Sequence, residues 1–303
     1  MKNKYYSLEH AFNTEADFPL HLETMIKDVL YKAYNDTPSI YPSIVNEVQS
    51  STNKERYMGI TGSLDLAPLE PLEEYSDASL SESGLDIYNH KYGKTISFPW
   101  ELIEDDIRNV FVDIPAKFGK GYKTTIDRAV IDVITNTSHY SAARGNLVQT
   151  NTTFGYDGIV EAYDLFSEMR GQDGEFINLA PDTLLIHPTM EWTAYEIFAK
   201  ERTILTQPTR GASAEMTGST VIENPLIGRF KILTSPYLPN KTAWYLFKAK
   251  DGMVHQKRKD LEIFTTTPNA QQMRERDEYT IKARTRFGIG MIDYHYHTYS
   301  PGT

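Results

Sequence analysis

Several short segments of this 303-residue chain carry residue types that could do chemistry. His295-Tyr296-His297 puts two imidazoles at i and i+2; on a β-strand they would share one face and could share a metal ion. A catalytic zinc site needs a third protein ligand and an open position. No H-E-x-x-H motif or further His/Glu cluster offers that ligand, so surface histidines among tyrosines are the plainer reading. Gly288-Ile289-Gly290 is not a dinucleotide loop, because G-x-G-x-x-G would need a small residue at Asp293 and a following helix. Glycine inside a strand more often marks a bend, a bulge or a close backbone approach. The run FGKGYKTT (118–125) has the composition of a phosphate loop but lacks the G-x-x-x-x-G-K-[ST] spacing, and it falls inside a helical pattern. Lys91 and Lys94 are candidates for a covalent cross-link, with ordinary exposed lysines as the alternative. Glu104, Asp105 and Asp106 suit a helix start better than an acid/base pair. There is no G-x-S-x-G elbow, and no cysteine, so thiol catalysis, thiolate metal sites and disulfides are excluded. The residues therefore nominate no catalytic group, no bound cofactor and no metal site.

The elements that would position these residues follow from periodicity. Leu22, Met25, Ile26, Val29 and Leu30 recur at helical spacing over 20–33, and Pro38 and Pro42 break the pattern after it. Residues 43–98 look extended, a long hairpin-like excursion with a Pro-, Ser- and acid-rich middle. An isolated two-stranded hairpin is marginal in water, so this one needs cover that no other segment obviously supplies. Residues 101–137 form a long amphipathic helix with a candidate break at Pro115; Gly119 and Gly121 inside it suggest a bend or a close partner. Further on, helices are expected at 158–171, capped by Gly171, and at 189–202. Strands are expected at 182–188, 229–238, 242–249, 254–266 and through 277–300. The pair 229–238 and 242–249 reads as a hairpin turned by Pro239-Asn240-Lys241. Helices with largely sequential strands make an α+β protein.

Hydrophobic residues make up 40% of the chain and charged residues 24%, the balance of a globular protein. No apolar run is long enough for a transmembrane helix, the N-terminus lacks a signal-peptide core, and the absence of cysteine fits synthesis inside the cell. The net charge of −10 argues against a generic nucleic-acid binder. Its distribution is uneven: residues 61–90 hold seven acids and no Lys or Arg, whereas 254–290 hold eight bases and five acids. Two solvated faces would explain this, and so would docking between copies.

The run YNHKYGKTISFPWELIEDDIRNVFVDIPAKFGKGYKTTIDRAVIDVITN (88–136) resembles the phage Mu-type major head subunits, in which an extended limb turns through an L-x-E-D-D helix start into a long helix. Upstream, NKERYMGITGSLDLAPLEPLEEY matches the limb leading into the same hairpin. Downstream, TLLIHP, ILTSPYLPNKTAWYLF and RERDEYTIKARTRFGIGMIDY look like segments of tailed-phage capsid proteins generally. The resemblance implies the Hong Kong 97-like phage capsid fold, with an N-terminal arm at 1–50, an extended E-loop at 51–98, a peripheral domain at 99–144 and 254–303 with a spine helix at about 101–137, and an axial domain at 145–253. It implies a structural, non-enzymatic protein of the virion, made in the bacterial cytoplasm. Such a protein self-assembles as pentamers and hexamers of an icosahedral shell around double-stranded DNA, held by non-specific contact. The chain begins at Met1, so an uncleaved subunit with a separate scaffolding protein is expected, beside a portal and a decoration protein, and no membrane. No Lys–Asn cross-linking pair stands out.

On that reading the acidic stretch is an E-loop tip. Asp65, Glu70, Glu73, Glu74 and Asp77 are expected to dock on Lys257, Arg258, Lys282, Arg284 and Arg286 of a neighbour, because rim pairs of this kind fix register and rate. The competing expectation is that the basic face meets DNA phosphates. Two other classes are an encapsulin-like compartment enclosing cargo protein and, remotely, a metal-dependent enzyme using His295 and His297.

Overall fold

The computed structural model describes residues 18–59, 83–99, 110–171, 174–198, 202–205, 220–266 and 278–302. Helix α1 (Phe18–Asp36) lies against the long helix α3 (Val110–Ile134). The apolar stripe of α3 is buried from Tyr122 onward, with Tyr122, Ile126, Val130 and Ile134 in one core with Leu30. Pro115 does not break the helix, which runs through it; near the N-terminal end a proline forfeits only one ladder bond. The two glycines differ. A Cβ on Gly119 would lie 2.5 Å from the Leu30 carbonyl oxygen and 2.8 Å from Tyr34 N, so α1 crosses α3 there at backbone distance, whereas Gly121 faces open space.

After the short helix α2 (Tyr41–Ile44) comes β1 (Asn46–Gln49), then β2 (Lys54–Gly59), β3 (Ser83–Tyr88) and β4 (His90–Pro99). Among the described residues the expected hairpin is seen at its base, where β2 pairs antiparallel with β3. Its flanks go elsewhere: β1 pairs in parallel with β10 (Met253–Thr266), and β4 pairs antiparallel with β11 (Glu278–Met291). The first sheet therefore has the order β1-β10-β11-β4. Strand β11 obeys the alternation: Ile281, Ala283, Thr285, Phe287 and Met291 are buried beneath α1 and α3, and Lys282 is exposed on the other face.

The second sheet is ordered β12-β9-β5-β8, from β5 (Thr183–Ile186), β8 (Lys231–Thr234), β9 (Trp244–Phe247) and β12 (His297–Ser300). Strands β8 and β9 are not hairpin partners, as the short linker suggested. Strand β5 lies between them, parallel to β8 and antiparallel to β9. Both faces of this sheet are covered, so β5 and β9 read as unbroken apolar runs. Leu185, Tyr245 and Phe247 join the core of α3 and the first sheet, while Leu184, Ile186, Trp244 and Leu246 meet α4 (Tyr156–Glu168) and α5 (Glu191–Phe198). Helix α4 ends at Glu168 with an extended Met169, not at Gly171, whose N–H instead closes a turn onto Glu175. A small ribbon, β6 (Arg202–Leu205) with β7 (Thr220–Glu223), stands apart from both sheets. Among the described residues no helix is long and apolar enough to cross a membrane.

Candidate inter-subunit surface

The base of the β2–β3 ribbon is tied down on two sides. Asn89, at the kink between β3 and β4, is buried; its side chain donates to Ser50 Oγ and to the Thr52 carbonyl, both at 2.8 Å, and its own N–H donates to the Asn53 carbonyl at 2.9 Å. Across the ribbon, Ile87 and Leu85 lie over the glycine pair of β11. A Cβ on Gly288 would sit 2.5 Å from the Tyr88 carbonyl oxygen, and one on Gly290 would sit 2.7 Å from Ile87 Cδ1. The glycines thus admit a crossing strand. Of the bend, bulge or close approach expected of them they show the close approach, and the β10–β11 ladder keeps its register through Gln256–Gly288 and Val254–Gly290. Tyr88 at the base and Met58 farther out are at least half exposed, and Lys54 pairs with Asp86 at 2.6 Å.

The structure separates the five basic candidates. Lys282, Arg284 and Arg286 project from the same face of β11, with Lys91 and Lys259 opposite Arg286 on the strands either side. The Arg284 guanidinium bonds Glu262 at 2.8 Å and lies 4.5 Å over the Phe264 ring; this bond holds the Glu262 carboxyl below its usual range. Arg286 donates to Asn53 Oδ1 at 2.9 Å, tethering the ribbon base, while its Nε is buried without a partner. Lys257 is not on this face. It lies opposite Phe287 and pairs with Asp260 at 2.7 Å, which also accepts the Tyr122 hydroxyl of α3. Arg258 falls at the first of two register shifts in β10, and its Nη1 is buried without a partner.

These shifts explain what the sequence reading missed. In a regular strand residues i and i+3 point to opposite faces. A bulge adds one residue and changes the phase, so Lys257 meets Asp260 and Lys259 meets Glu262. The only signal was the proximity of K-R-K to D-L-E. The acidic candidates Asp65, Glu70, Glu73, Glu74 and Asp77 lie outside the described residues.

His295 and His297 also depart from expectation. They do not share a strand face, because β11 ends at Met291 and His295 belongs to a 3₁₀ turn, Tyr294–Tyr296, that precedes β12. Nor are they at the surface. Both are buried, His295 is bonded to Asp293 at 2.5 Å, and neither ring nitrogen of His297 has a hydrogen-bond partner. Among the described residues no cluster of three metal-binding side chains occurs.

Comparison with known proteins points the same way as the architecture. A family model of phage capsid proteins matches residues 86–296, more than two thirds of the chain, and a model of the Mu-like prophage major head subunit gpT matches residues 20–145. Similar solved structures include the capsid of the cyanophage P-SCSP1u, 14% identical with a TM-score of 0.58 over 87% of this chain and 88% of that one. The capsid of a native GTA particle is 12% identical, with a TM-score of 0.58 over 86% and 88%. A virus-like particle from Pyrococcus furiosus is 12% identical, with a TM-score of 0.54 over 91% and 98%. At these identities the likeness is one of fold. No curated protein matches the sequence.

Proposed function

The chain belongs to the phage capsid protein family, and on that premise we propose how its parts serve a shell. It is a major capsid protein of icosahedral phage heads: a non-enzymatic component of the virion whose function is repeated association with itself. We assign residues 1–50 to an N-terminal arm, 51–98 to an E-loop, 99–144 and 254–303 to a peripheral domain and 145–253 to an axial domain. The division of the molecule into a sheet under α1 and α3 and a second sheet under α4 and α5 supports this reading. Strand β1 is built into the first sheet and β12 into the second, so the outer limits of those segments interlock with their neighbours.

One observation carries the assembly reading. Among the described residues the β2–β3 ribbon pairs with no third strand, yet it exposes Met58, Leu85 and Tyr88. Two strands alone are marginal in water, and a neighbouring subunit is the natural cover in a pentamer or hexamer. The face bearing Lys282, Arg284 and Arg286, next to the ribbon base, is the proposed landing site for the acidic tip of the next subunit, Asp65, Glu70, Glu73, Glu74 and Asp77. Arg258 stands at its margin, and Lys257 is committed within its own chain. A separate scaffolding protein, a portal, a decoration protein and loosely held DNA complete the proposal. Electron microscopy of the expressed protein, with the nucleic-acid content of particles purified from phage-infected cells, tests it. Closed shells with DNA support it, a stable dilute monomer overturns it, and shells filled with protein cargo would favour a compartment.

A further inference from the structure

We propose that the joint between the two sheets is an acid-sensitive latch in which His297 takes up the proton. The chain crosses from one sheet to the other three times: after α3, between β9 and β10, and between β11 and β12. The crossings converge and are stitched by single hydrogen bonds. The buried Asn146 donates to the His139 carbonyl at 3.0 Å and the Tyr294 carbonyl at 3.5 Å and accepts from Ser141 N at 2.9 Å. Lys248 N bonds the Tyr296 carbonyl at 3.0 Å, and Ile292 N bonds the Gly252 carbonyl at 2.7 Å. Gly252 has φ +75°, and a Cβ there would lie 2.6 Å from the Asp293 carbonyl oxygen, so the second and third crossings touch through backbone.

His297 lies among these crossings. It is 1% exposed, its ring stacks on Phe247 with centroids 5.3 Å apart, and neither ring nitrogen is bonded. The charged and titratable groups around it offer no release. Asp293, on its own segment, is engaged by the His295 backbone N–H and ring. His139 comes from the turn after α3, in the field of Arg144, and opposes a second positive charge. Asp251, from the β9–β10 crossing, faces Lys248 at 3.9 Å. Burial therefore pushes the imidazole down to about 4, the Asp251 backbone and Asp293 offsetting only part of that. A proton forced onto this ring finds no carboxylate hydrogen-bonded to it, and a buried charge without such a partner is strongly unfavourable. Water reaches it most readily where the stitching is single bonds between crossings, not through the continuous ladders of either sheet. Acid thus loosens the joint first, freeing one sheet to turn against the other while each stays folded.

Hydrogen exchange on the full chain tests this, comparing pH about 7 with pH about 4.5 after correction for intrinsic rates. The amides of Lys248, Ile292 and Asp293 should lose protection in acid by about 10-fold more than those of β5. His297→Phe keeps the aromatic stack, cannot titrate and should hold that ratio constant. Equal acid loosening in His297→Phe and the native chain overturns the proposal. If that variant does not fold, NMR titration of the histidines in the native chain decides: His297 titrating at its ordinary value of about 6.5 overturns the latch, and a depressed titration coinciding with the loosening supports it.

Discussion

Ile87 of β3 lies directly over Gly290 of β11, so close that a Cβ on the glycine would come within 2.7 Å of Ile87 Cδ1. The residue pair joins the ribbon to the basic strand proposed to receive a neighbour. Ile87 is the buried foot of the ribbon, and Gly290 lies near the end of the strand whose basic residues face outward beside it. The angle at which the ribbon leaves the body is therefore set by the lack of two side chains.

Gly290→Val should lift that foot. Overfilling a tight contact costs about 1–3 kcal/mol, so the isolated subunit should remain folded but with a lower urea midpoint, and the yield of closed shells should fall more steeply than stability. Unchanged shell yield by sedimentation would show that the ribbon angle does not matter.

Arg284→Glu with Arg286→Glu should block shell formation while subunits stay folded by circular dichroism, with a lower melting point from the lost Glu262 and Asn53 bonds. Each exposed pair contributes only about 0–1 kcal/mol, but every subunit boundary repeats it. Normal empty shells that fail to fill with DNA would instead assign this face to phosphate contact, and normal filled shells would remove both roles.

Gly119→Leu should separate α1 from α3, because the added side chain meets the backbone of Leu30 and Tyr34. Overpacking against backbone should destabilise by about 3 kcal/mol. Gly121→Ala, two residues on and facing open space, should be neutral or stabilise by about 0.5–1 kcal/mol. Equal melting shifts for the two would refute the crossing argument.

Glu161 of α4 accepts the N–H groups of Gln149, Thr150 and Asn151 at 3.1, 3.0 and 2.7 Å. Burial pulls its carboxyl up, but the three donors together hold it below the usual carboxylate range. A depressed carboxylate contributes stability above its unfolded value, lost as pH falls through the folded one. Glu161→Gln should therefore destabilise at neutral pH by no more than about 1 kcal/mol, because the site is open to solvent and screened, and flatten the acid limb of a pH–stability curve. An acid limb identical to that of the native chain would contradict the assignment.

Much of the architecture was legible in the residues, for reasons that can be located. The stripe Tyr122-Ile126-Val130-Ile134 has the period of one helix face, so α3 could be read directly, and the alternation from Ile281 to Phe287 fixed which face of β11 is buried. Family character was legible in the order of elements, and the basic face could be nominated from Lys282, Arg284 and Arg286. The partition of that face was not, because two bulges in β10 rotate Lys257 toward Asp260 and turn Glu262 to Arg284. No periodicity announces a bulge.

Local covalent and steric preference thus settled what each segment is, since side-chain period and backbone propensity act within a few residues. Which segments meet was decided only by the tertiary structure. Strand β5 slips between β8 and β9, β4 leaves the ribbon for β11, and three distant crossings enclose His297. Those choices depend on burying two faces of one sheet at once, a condition on the whole chain. The histidines read as surface residues were reassigned by that condition: both are buried, His295 against Asp293 and His297 against Phe247, in surroundings the sequence does not contain.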